Sequence, residues 1–125
     1  MDDILDLSGR VAIVTGGGTG IGAATAMVLA EHGADVAIAA RTVADLERTA
    51  AQVEDATGRR CLVVPTDVKV EDQVIDMVQH AIDELGGLDI LVNNAGGTRM
   101  GPLATLPTKA WDGGFDLNVR AAYLC

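Results

Sequence analysis

The chain has 125 residues, 49% of them hydrophobic, enough apolar material for one domain of ordinary size covering 1–125. A net charge of −9 and an aromatic content of 2% argue against a nucleic-acid partner, which needs a basic surface for counterion release and rings for base stacking. No apolar stretch approaches the ~18 residues of a membrane-spanning helix, and the acidic start Met1-Asp2-Asp3 is unlike a basic leader, so no membrane contact and a cytoplasmic location are expected.

In chain order, Arg10–Thr15 is a β-branched run ending at glycines and reads as a buried strand. From Ile21 the apolar positions Ile21, Ala24 and Val28 fall on one face of a helix that closes at His32-Gly33. Asp35–Ala40 is a second strand. Thr42-x-x-Asp45 has the spacing of a capping box, and Val43, Leu46, Ala50 and Val53 form the stripe of a second helix that ends at Gly58. Arg60–Val64 is a third strand. Val74, Val78, Ala81, Ile82 and Leu85 mark a third helix before Gly86-Gly87, and Asp89–Asn93 is a fourth strand. After a glycine-rich loop, Pro107-Thr108 opens a last helix, weakened locally by Gly113-Gly114, in which the chain ends.

Strands with continuous apolar runs alternating with amphipathic helices require an α/β architecture, a doubly wound parallel sheet covered on both faces with the first strand central. Two cysteines, Cys61 and Cys125, and two histidines, His32 and His80, share no ligand spacing, so neither a disulfide nor a metal site is expected.

Thr15-Gly16-Gly17-Gly18-Thr19-Gly20-Ile21-Gly22 lies between the first strand and its helix, where backbone N–H groups and the helix dipole meet a pyrophosphate. Gly-Lys-Ser/Thr does not follow, which excludes a Walker-type loop. The glycines Gly16, Gly20 and Gly22 form Thr-Gly-x-x-x-Gly-x-Gly, followed by Asp67-Val68 after the third strand, Asn93-Asn94-Ala95-Gly96 after the fourth, and Asn118 in the last helix. Taken singly, each has another reading: Asp67 as a helix N-cap, Asn93 and Asn94 as turn formers, and Asn118, by default, as a solvated surface residue.

In this order and spacing the four motifs resemble the N-terminal half of the short-chain dehydrogenase/reductase family. The resemblance implies a Rossmann-type fold and hydride transfer between a nicotinamide cofactor and an alcohol or carbonyl substrate. It implies cofactor contacts at Gly16, Gly18, Thr19, Gly20, Ile21, Gly22, Asp67, Val68, Asn94, Ala95 and Gly96, and it makes Asn118 the helix asparagine of the catalytic tetrad. A homodimer or homotetramer formed through the helix of Asn118 is implied as well. A doubly wound methyltransferase would leave Asn93–Gly96 and Asn118 without a role, and extended sugar-nucleotide epimerases have tighter glycine spacing.

The end of the second strand reads the adenosine ribose, with a carboxylate for NAD and an arginine for NADP. Here it is Ala39-Ala40-Arg41-Thr42, with no carboxylate, and Asp35 stands at the opposite end of the strand. Arg41, with the Thr42 hydroxyl, therefore favours NADP, with NAD as the alternative. Against this, Arg41 has a bland reading as a solvated helix start or an adenine stack, and Thr19 stands where many NADP-preferring relatives carry a second basic residue.

The family's remaining catalytic groups are a serine and a Tyr-x-x-x-Lys. Ser8 is the only serine and precedes the first strand; Tyr123 is the only tyrosine, and neither lysine, Lys69 or Lys109, follows it. The 125 residues are thus expected to bind cofactor without catalysing turnover alone, as the first half of a longer enzyme or, alternatively, as a non-catalytic NAD(P)-binding module. The fourth strand is expected at an edge, with aggregation as its hazard.

Overall fold

The computed structural model describes residues 3–125; Met1 and Asp2, which begin the acidic N-terminal stretch, lie outside them. Strand β1 (Val11–Thr15) is buried along its whole length, as its unbroken apolar run requires. Helix α1 (Gly20–Glu31) leads to β2 (Asp35–Ala40), α2 (Val43–Thr57) to β3 (Cys61–Pro65), and α3 (Glu71–Leu85) to β4 (Ile90–Val92). A 3-10 turn at Leu103–Thr105 precedes α4 (Thr108–Phe115), a π-helical turn at Asp116–Arg120, and α5 (Ala121–Leu124).

The four strands are parallel in the order β3-β2-β1-β4. Two successive crossovers carry the chain outward from β1, and the third returns it past β1 to the other side. The direction of winding thus reverses between β1 and β4, and a crevice opens there beyond the carboxyl ends of the strands. Alternate residues of β1 and β2 serve opposite faces. Val14, Val36 and Ile38 pack with Ala26 and Ala30 of α1 and Leu46, Ala50 and Val53 of α2, whereas Ile13, Ala37 and Ala39 pack with Val74, Met77 and Ala81 of α3. Leu124 and Cys125 join the α3 face from the end of the chain.

The order of elements agrees with the reading from sequence, but the buried face of α1 does not. Ile21 is 78% exposed and Val28 50%, while Gly22, Ala26 and Ala30 face the sheet. Close approach at the start of α1, where a Cβ on Gly22 would run into the Gly16 carbonyl oxygen, puts the small residues Gly22, Ala26 and Ala30 innermost, with Met27 and Leu29 packing partly buried beside them. In α2 the stripe Leu46, Ala50, Val53 is buried as expected, Thr49 joins it, and Val43 is exposed. In α3 Val74 and Ala81 are buried, but Met77 replaces the exposed Ile82 as the third core residue.

The capping box at Thr42 is not formed: the Thr42 side chain makes no cap bond, and the Asp45 carboxylate accepts from Arg48 instead. Asp67 caps no helix either, since α3 starts after Val70. β4 is three residues long, shorter than expected, and it occupies an edge of the sheet. At the amino ends of the strands, Asp35 accepts from Arg59 (2.8 Å) and from the Arg60 backbone N–H (3.1 Å), far from the crevice.

Candidate functional site

The crevice is a cleft of about 420 Å³ at the carboxyl ends of β1, β2, β3 and β4. Its floor is the turn from β1 to α1. Gly16 (φ 66°) and Gly20 (φ 54°) hold left-handed backbone that other residues adopt only with strain. The Gly16 N–H donates to the Ala39 carbonyl (2.7 Å), which pulls the turn against β2. The first turn of α1 leaves N–H groups without intrahelical partners, and Thr19 caps none of them with its side chain. They are the natural donors for an anion in the cleft.

A threonine and an asparagine lock this turn to β4. Thr15 is buried, and its Oγ1 accepts from the backbone N–H groups of Asn94 and Ala95 (3.0 Å each) while donating to the Val92 carbonyl (3.3 Å). The Asn94 side-chain amide donates to the carbonyls of Thr15 (3.1 Å) and Gly16 (3.3 Å). On the other flank the Thr49 hydroxyl donates to the Gly18 carbonyl (2.8 Å), tying the turn to α2. Every backbone group engaged here is held in place before any ligand arrives.

Gly16, Gly18, Thr19, Gly20, Ile21, Arg41, Thr42, Asp67, Val68, Asn94, Ala95 and Gly96 all line the cleft. Gly22 does not. It lies beneath the turn, where a Cβ would run into the Gly16 carbonyl oxygen and come within 2.6 Å of Asn94 Nδ2. Gly22 thus shapes the turn through helix–strand approach rather than by facing the cleft. Asp67 is held by its surroundings, its Oδ1 accepting from the Lys69 N–H (3.0 Å) and its own N–H donating to Gln73 Oε1 (2.7 Å). Arg41 forms no ion pair among the described residues.

Sequence reasoning missed five lining residues: Ala39, Ala40, Asp45, Thr66 and Leu117. The two alanines and Thr66 flank the motifs at strand ends and were within reach of a sequence argument. Asp45 was hidden by its reading as a helix cap, and Leu117 reaches the cleft only through the path of the last helix.

Asn118 stands outside this cleft, on a neighbouring apolar groove of about 430 Å³ with Met100, Leu103, Trp111 and Phe115. Its side chain is fully engaged. Nδ2 donates to the carbonyls of Gly97 (2.7 Å) and Gly114 (2.8 Å), and Oδ1 accepts from the Gly97 N–H (3.1 Å). The π turn at Asp116–Arg120 follows directly on Gly113-Gly114, and within it Asn118 clamps the loop after β4. Single π turns of this kind are frequent at functional sites.

A family model described as short chain dehydrogenase matches residues 10–125. The chain belongs to the short chain dehydrogenase family. Its members are oxidoreductases that bind NAD(P). An uncharacterized oxidoreductase of Mycobacterium tuberculosis is 40% identical over 121 residues, which are 97% of this chain and 46% of that protein. A short-chain type dehydrogenase/reductase from Mycobacterium marinum superposes with a TM-score of 0.95 at 38% identity, covering 99% of this chain and 51% of the other. L-sorbose reductase from Gluconobacter frateurii, solved with NADPH and L-sorbose, superposes with a TM-score of 0.90 at 35% identity, covering 96% and 46%. The chain therefore spans about half the length of the relatives it matches. As a family member it has the Rossmann-like sheet expected from its sequence, and its helices include none long and apolar enough to cross a membrane among the described residues.

Proposed function

We propose that this chain is the cofactor-binding half of an NAD(P)-dependent oxidoreductase acting on a small alcohol or carbonyl compound. The observation that carries the reading is the single cleft in which the glycine turn, the start of α1, Asp67-Val68 and Asn94–Gly96 converge. The residues fit a dinucleotide. Left-handed glycines keep the turn free of side chains, the first turn of α1 offers free N–H donors to a pyrophosphate, and Asp67 offers a fixed carboxylate for a base or sugar. When bound, the nicotinamide supplies or accepts the hydride. The chain's own part is to bind, to orient and to keep the loop after β4 in place through Thr15, Asn94 and Asn118.

NADP is the preferred cofactor in this reading, with NAD as the alternative. Arg41, unpaired among the described residues and lining the cleft beside Thr42, supports it, as does the NADPH found with the related L-sorbose reductase. Titration of both cofactors against the protein and an Arg41→Asp variant tests it. The expected result is tighter binding of NADP by the wild type and a loss of roughly 10- to 100-fold in the variant, the range of a charge-assisted hydrogen bond replaced by repulsion. Equal wild-type affinities would overturn the preference.

In this reading the proton chemistry falls to a serine and a Tyr-x-x-x-Lys, an arrangement that these 125 residues do not contain, and the 125 residues by themselves bind cofactor without turnover. Assembly into a homodimer or homotetramer is part of this reading, supported by the exposed apolar residues Trp111, Phe115 and Val119 on the last helix. A cytoplasmic location belongs to the same reading.

A further inference from the structure

An arginine and a carboxylate line the cleft where it passes the end of β2, and a second arginine pairs with that carboxylate. Arg41 and Thr42 line it there, and so does Asp45, in the first turn of α2. The Cβ of Asp45 lies 3.1 Å from the point where a Cβ on Gly18 would stand, so the Asp45 side chain flanks the glycine turn itself. Its Oδ1 accepts from Arg48 Nη2 at 2.7 Å, and Arg48 has no other acidic partner among the described residues. Asp67, the other carboxylate of the cleft, is taken up by the Lys69 N–H.

We infer that Asp45 sets the ratio of NADP to NAD affinity and that Arg48 is the positioning residue that masks it; this rests on the reading of the cleft as a dinucleotide site. A 2′-phosphate brings nearly two negative charges beside Arg41. A free carboxylate in the same cleft repels that phosphate, and it supplies the acceptor for a ribose 2′-hydroxyl that the end of β2 lacks. The ion pair with Arg48 occupies one Asp45 oxygen and offsets its charge. The two partners therefore act on the ratio with opposite signs. An ion pair serving only helix stability behaves differently, since losing either partner weakens the helix alike and leaves the ratio unmoved.

Fluorescence titrations of NADPH and NADH against the purified protein, Asp45→Asn and Arg48→Gln test this, with circular dichroism confirming that each is folded. Asp45→Asn is expected to raise the preference for NADPH over NADH by roughly three- to tenfold, and Arg48→Gln to lower it by a similar factor. A ratio unchanged in both variants, or moving the same way in both, overturns the assignment. Equal wild-type affinities for the two cofactors would remove the preference drawn from Arg41, yet opposite shifts in the variants would still uphold Asp45 and Arg48. Folded protein that binds neither cofactor would overturn both.

Discussion

Replacing Thr15 by valine removes one hydroxyl from a buried position and keeps the shape of the side chain. That hydroxyl accepts from the N–H groups of Asn94 and Ala95, but the two do not lose equally. The Asn94 N–H also donates to the Val92 carbonyl at 3.0 Å and keeps that partner, whereas Thr15 Oγ1 is the one acceptor for the Ala95 N–H among the described residues. One orphaned donor costs about 1–3 kcal/mol when buried, and the half-buried setting of Ala95 puts the expected loss at about 1.5 kcal/mol. With a urea m-value of about 1–3 kcal/mol/M, the midpoint should fall by roughly 0.5–1.5 M at unchanged m. Cofactor affinity should fall as well, because Ala95 and Gly96 line the cleft. Thr15→Ser, which keeps the oxygen, should retain most of that affinity. A Thr15→Val protein with wild-type midpoint and wild-type affinity would refute the role given to this hydroxyl.

Gly22→Ala drives a Cβ into the Gly16 carbonyl oxygen and should cost about 1–3 kcal/mol by overpacking while abolishing measurable cofactor binding; urea unfolding and a NADPH titration check both parts. Asn118→Ala frees both backbone groups of Gly97 and should raise amide hydrogen exchange at Gly96-Gly97 by about tenfold, as expected for loss of roughly 1.4 kcal/mol of local stability. Burial, and secondarily the Glu54 carboxylate, pushes the Cys61 thiol up to about 12. The unfolded thiol ionises at about pH 8.5 while the folded one stays protonated, so the Cys61 contribution is whole below that pH and is lost as pH rises from there. Urea unfolding between about pH 8 and 11 should show wild type losing stability faster than Cys61→Ala, by at most about 1.4 kcal/mol per pH unit.

How far the amino-acid sequence reached can be judged from single elements. β2 lies at Asp35–Ala40, as read from its unbroken apolar run, and the glycine turn lies between β1 and α1. The parallel sheet followed from alternating strands and helices alone, because parallel neighbours need a crossover over one face. These features depend on residues near one another in the chain. The stripe of α1 failed because hydrophobicity was taken as burial, whereas the tight approach at Gly22 turns the small residues Gly22, Ala26 and Ala30 fully inward.

The candidate site divides along the same line. The glycine turn, Arg41, Asp67, Asn94 and Asn118 were legible as residue types in motifs, and the sheet edge assembled all but Asn118 at one cleft. Asp45 was visible only as a helix-start residue, since its place depends on how far α2 leans over Gly18. The Thr15 hydroxyl joins residues 77 to 80 positions apart, and no local pattern records that. Asn118 was singled out by spacing, but its hold on Gly97 exists only because the π turn brings the last helix against the loop after β4. Periodicity thus determined the layers, and the local glycine motif determined the turn between β1 and α1. Which side chains are satisfied, and which are left to face the cleft, was decided by tertiary contacts between segments that are distant in the chain.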